Sequence, residues 1–165
     1  MNNVVQFLFS SLQNSLFSVL KNFDDHGEFY VADVRSTYSA PGRNRNYKDF
    51  GPVEDQNGVY VFFTKNTGEI LHIGAAGNKG GETGFYSTSY TGIVPQLING
   101  TITTILNHFQ KNVQPKTSQS FEDYINEYSV FFLCLKPSTT NPTSSAQGLD
   151  DLVDALRSLL KPTIQ

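Results

Sequence analysis

The chain has 165 residues, 38% of them apolar and 16% charged, with a net charge of −3. That balance suits one domain with a substantial core and excludes a coiled coil, a collagen-like chain and a highly charged disordered chain. A single cysteine, Cys134, excludes an internal disulfide and a thiolate zinc cage, and the negative charge gives no general pull toward nucleic acid. The first stretch, Val4 to Val19, is apolar-rich, but no basic residue precedes it and Gln6, Ser10, Ser11, Gln13, Asn14 and Ser15 interrupt it. It reads as neither a signal peptide nor a membrane span, so the expectation is a soluble, cytoplasmic protein. Within residues 4–23, Val5, Leu8, Leu12, Leu16, Val19, Leu20 and Phe23 recur at helical spacing. They predict an amphipathic packing helix, ended by Asp24-Asp25-His26-Gly27.

Glu28 to Arg35 alternates, with Phe29, Val31 and Val34, and predicts a strand. Residues 36–56 read as a long polar loop with Pro41, Gly42, Gly51 and Pro52. Arg35, Arg43, Arg45 and Lys48 all come before Asp49, with Tyr38 and Tyr47 interleaved, and three of the chain's four arginines are among them. Basic residues mixed with aromatics suit phosphate contact plus base stacking, or else a solvated loop. Gly58 to Thr64 is the strongest strand signal, and Lys65-Asn66-Thr67-Gly68 a turn into a second strand, Glu69 to Gly74, so a β-hairpin is expected.

Residues 75–92 are Gly-rich loop, and Gly77-Asn78-Lys79-Gly80-Gly81 lacks the Gly-Lys-Ser/Thr pattern of a nucleotide P-loop. No nucleotide cofactor is expected. Residues 93–111 have helical spacing, weakened by Gly100 and three threonines. A polar linker covers 112–120, a short helical turn is expected from Phe121 to Glu127, and Tyr128 to Lys136 reads as a buried strand with Cys134 as a small hydrophobe. Residues 137–146 read as loop, with a capping box from Ser144 to Gln147. A last helix follows with Leu149, Leu152, Val153, Leu156, Leu159 and Leu160 on one stripe, stopped by Pro162. This order predicts a single α+β domain over 1–165: a small mixed or antiparallel central sheet with a hairpin, flanked by helices, plus an N-terminal helix.

Gly58-Val59-Tyr60, eleven residues, then His72-Ile73-Gly74, resembles the opening of the GIY-YIG nuclease domain. In that family the hairpin is followed by a helix, a third strand and a last helix ending in Pro with an Asn three residues on. Here the end is Lys161-Pro162-Thr163-Ile164-Gln165, with Gln in the Asn place. The resemblance covers a core of about 57–165, leaving 1–50 as an extension of helix, strand and basic loop.

The resemblance implies phosphodiester hydrolysis assisted by a divalent ion, Mg²⁺, with DNA as the partner. The family uses two tyrosines, an arginine, often a histidine or tyrosine, and a metal-holding glutamate. Tyr60 matches the first tyrosine, or is a packed strand aromatic. His72 stands in the place of the second and could take a proton near neutral pH, or is an ordinary strand histidine. His108 fits the histidine, or is a helix-surface residue, but Thr104 stands where the arginine belongs. Phosphate charge would fall to Lys79, Arg43 or Arg45, with Lys48 beside them. Val153 stands where the glutamate belongs, nine residues before Pro162. Asp150 and Asp154 are the nearest carboxylates, and would hold the metal or else favour the helix N-terminus and pair with Arg157. Three functions follow as expectations. They are a diverged Mg²⁺-dependent DNA endonuclease, a GIY-YIG-like module that binds nucleic acid or protein without cutting, and an unrelated α+β interaction protein. No membrane partner is expected.

Overall fold

β-branched and aromatic residues dominate Gly58–Thr64, and this run, β3, is the strand around which the sheet is built. A computed structural model of the chain describes Ser10 and residues 23–25, 29–33, 53, 56–76, 85, 93–98, 102–134, 136–137 and 142–164. Nearly all of the expected N-terminal helix, together with Arg43, Arg45, Lys48 and Lys79, lies outside these described residues. The earlier strands are β1, Phe23–Asp25, and β2, Phe29–Asp33. After β3 come β4, Ile70–Ala76; α1, Ile93–Ile98; α2, Thr103–His108; α3, Phe121–Ile125; β5, Tyr128–Cys134; β6, Lys136–Pro137; and α4, Pro142–Leu160.

Four strands form one antiparallel sheet in the order β2-β5-β3-β4, while β1 and β6 make a separate two-stranded pair. β3 is thus flanked by β4 and β5, with Tyr60 opposite Gly74 on one side and Phe132 on the other. A strand in that place is buried on both faces, which is why its sequence is a continuous apolar run. Side-chain alternation sorts the sheet into two cores. Tyr60, Phe62, Val130, Phe132 and Cys134 pack with Phe85, Val94, Ile105, Phe109, Tyr124 and Ile125. Val59, Val61, Phe63, Ile73, Phe131 and Leu133 pack under Leu149, Leu152, Val153 and Leu156 of α4. The result is an α+β fold with helices on both faces of an antiparallel sheet. Among the described residues, no helix is long and apolar enough to cross a membrane.

The structure departs from the sequence expectation in several places. Phe23, expected at a helix end, begins β1 and pairs with Pro137, because a strand partner far along the chain outweighs local periodicity. The single helix expected over 93–111 is two, α1 and α2. The second helix begins only after Ile102, whose backbone is extended. α2 then loosens into a π-turn over Phe109–Val113 and a 3-10 turn over Gln114–Lys116. α4 starts at Pro142, ahead of the Ser144 cap, since proline is preorganised for the first helical position. Leu159 falls off the buried stripe and is 46% exposed.

Candidate functional site

The pairing of β3 with β4 sets Phe62 opposite His72 and Tyr60 opposite Gly74, so Tyr60 and His72 share one sheet face. Their rings lie 6.0 Å apart, tilted by 52°. Both are buried, at 9% and 6% exposure, so they belong to the core as much as to any surface. Burial pushes the Tyr60 hydroxyl's pKa up, with Arg157 opposing. Burial pushes the His72 pKa down, the Arg157 charge adds to this, and a hydrogen bond with the Ile164 backbone works the other way. His72 Nδ1 has no hydrogen-bond partner, in keeping with a neutral ring.

This sets a pH dependence. A histidine whose folded pKa lies below its unfolded value binds protons more readily when the chain is unfolded. Its contribution is complete above about pH 6.5, the unfolded value, and falls as pH drops from there toward the folded pKa. The denaturant midpoint should therefore decline below about pH 6.5. A His72→Gln variant should show a shallower decline over that range, and an identical slope in the two proteins would contradict the burial argument.

The two glycines of the resemblance have packing reasons. A Cβ on Gly74 would collide with the Tyr60 hydroxyl and Cζ, and would stand 2.9 Å from Cε2. The tyrosine ring therefore lies across the bare backbone of its cross-strand partner. Gly58 has φ +150°, and a Cβ there would run into the Leu133 carbonyl of β5.

The carboxylates occupy a different place. α4 lays Asp150, Asp154 and Arg157 along one side, and with Val153 and Ala75 they line a cleft of about 450 Å³. α4 covers the sheet face carrying Val59, Val61 and Ile73, whereas Tyr60 lies in the core on the other face. The sheet thus separates Asp150 and Asp154 from the Tyr60–His72 pair. His108 is on α2, half-buried between the core residue Phe109 and solvent. Its described hydrogen bond, Asn112 Nδ2 to His108 Nδ1 at 3.3 Å, runs within the helix rather than toward Tyr60.

Arg157 is the residue that sequence reasoning undervalued. Its ion pair with Asp154, which the spacing predicts, exists at 3.9 Å with Asp154 78% exposed, a geometry worth little. Its larger role is to reach the sheet edge, where Nη2 donates to the Ile73 carbonyl at 3.0 Å. Its Nε is buried without a partner. From there its charge is felt at both Tyr60 and His72. Spacing alone gives Asp150, Asp154 and Arg157 one helix face. The reach to Ile73 depends on the packing of α4 on β4, which has no local signal.

A Mg²⁺ ion takes oxygen ligands and often needs only one or two carboxylates, completing its shell with water and substrate phosphate. Asp150 and Asp154 meet that minimum, with Arg157 beside one of them. Among the described residues, no group of three or more His, Cys, Asp and Glu converges as a metal cage would require. No protein-family model, curated protein or solved structure matches the chain.

Proposed function

We propose that this chain is a diverged GIY-YIG-like domain that binds DNA without cutting it. One observation carries the reading: the sheet stands between the Tyr60–His72 pair and the Asp150–Asp154 pair. Phosphodiester hydrolysis needs the proton acceptor and the charge-neutralising groups around one phosphate, within hydrogen-bond reach. Support for the family relation is the element order from β3 to α4: hairpin, helices, strand, helix. Support for DNA as partner is the basic and aromatic run holding Arg43, Arg45 and Lys48, with Lys79 in the Gly-rich loop.

The test uses the purified full chain. Supercoiled plasmid incubated with Mg²⁺ should remain uncut, while a labelled duplex should bind in a salt-dependent manner. Charge reversal at Arg43 and Arg45 should weaken binding and flatten the log–log salt slope by about 2, near one unit per lost phosphate contact. Unchanged affinity and slope in that double variant would remove the segment from the interface.

A second reading, a slow Mg²⁺-assisted endonuclease, is favoured by the Arg157 charge reaching Tyr60 and His72. Asp150 and Asp154 would hold the ion, whose contribution would be to offset phosphoryl charge. Nicking that requires Mg²⁺ and is lost in Asp150→Asn/Asp154→Asn would select this reading over the first.

A further inference from the structure

β4 is the outer strand of the four-stranded sheet on its side, and its sequence, Ile70-Leu71-His72-Ile73-Gly74-Ala75-Ala76, contains no lysine, arginine or carboxylate. Its first five residues are buried. An uncharged, apolar edge of this kind is a template for pairing with another chain, and proteins usually blunt it with charge, proline or a covering segment. Here the covering is supplied by the chain after α4. Lys161 turns the backbone with φ +47°, its N–H donating to the Arg157 carbonyl, and Pro162 is buried. Thr163 N–H then donates to the Ile70 carbonyl at 3.0 Å, and Ile164 N–H to the Leu71 carbonyl at 2.9 Å. Arg157 takes the next outward acceptor, Ile73 O. Ile164 packs against the core on the Tyr60 side and its backbone meets the His72 ring.

We propose that residues 161–164 are a releasable strap that keeps β4 from pairing with β4 of a second copy of this chain. The strap is held to the edge by two backbone hydrogen bonds, by long 3.4 Å contacts of the Thr163 hydroxyl with Ile70 O and Glu69 Oε1, and by the His72 ring against the Ile164 backbone. It is joined to α4 through a lysine in a conformation that favours glycine. Such a segment opens at lower free energy than the sheet it covers. Opening bares Ile70 O and Leu71 O on a strand without charge, and the antiparallel β4 of another copy brings its own outward N–H groups to that bared edge. This inference stands apart from any DNA binding.

The test is Thr163→Pro, which deletes both strap donors of that residue, its backbone N–H and its hydroxyl, and leaves the residues of β4 untouched. Light scattering on the wild-type full chain should give the mass of one copy, and on the variant a concentration-dependent mass of two or more. A variant with native circular dichroism and the mass of one copy overturns the proposal. Should the variant not fold, hydrogen exchange on the wild-type chain decides the matter. The amides of Thr163 and Ile164 should exchange at least about tenfold faster than those of Val61 and Phe132. Equal rates would mean that the strap opens only with the whole fold, and the proposal fails.

Discussion

Gly58→Ala is expected to cost roughly 3 kcal/mol or more, combining backbone strain at a positive φ with overpacking. The obstacle is the Leu133 carbonyl of the neighbouring strand, which cannot turn aside as a side chain can. Phe85 Cζ stands a further 3.1 Å from the added atom, so motion away from β5 is also resisted. Against a total stability of about 5–15 kcal/mol, a loss of that size removes a large share of the folded state's margin. Urea unfolding would report it as a lower midpoint with an unchanged slope. A midpoint equal to wild type would mean that β3 and β5 are spaced more widely than described.

Gly74→Ala is expected to cost about 2–3 kcal/mol, at the upper end for overpacking, since the added methyl enters the volume of the Tyr60 ring. The two positions must then be coupled. In a Tyr60→Ala background the Gly74→Ala change should be nearly neutral, or stabilising by a few tenths of a kcal/mol as Gly→Ala often is in a strand. A double-mutant cycle on denaturant midpoints measures this, with a coupling energy of about 2 kcal/mol expected. Additive losses would show that Tyr60 does not rest on Gly74. The cycle bears on function as well. Strong coupling explains the spacing of Gly58-Val59-Tyr60 and His72-Ile73-Gly74 by packing alone, without any demand from catalysis.

The strands of the four-stranded sheet were legible because each carried its own local signal. β3 and β5 read as apolar runs, and the hairpin turn sat where its Gly and Asn placed it. Tyr60 and His72 were legible as a pair because strand alternation and hairpin register are short-range rules. α4 was legible through its leucine stripe, although it starts at Pro142, ahead of the Ser144 cap, because proline fits the first helical turn. The rest depended on contacts distant in sequence. Phe23 joins a strand through Pro137, more than a hundred positions away, and no periodicity announces that. The separation of Asp150 and Asp154 from Tyr60 follows from which face α4 covers. A stripe of leucines fits either face equally well. Arg157 was visible as a partner for Asp154, but its bond to Ile73 O spans the helix–sheet interface.

The irregularity in the β3–β4 pairing has a consequence for chain direction. Phe62 faces His72 while Phe63 faces Ile70, so Leu71 is an extra residue in β4. In a regular strand successive carbonyls point to opposite sides, and one edge can offer only every second oxygen. The extra residue breaks that rhythm, as a bulge does. Ile70 O and Leu71 O both turn outward and are met by the consecutive N–H groups of Thr163 and Ile164. The bulge thus acts as an address. A matched pair of adjacent acceptors occurs at one position along β4, and it fixes where the returning chain docks to within a single residue.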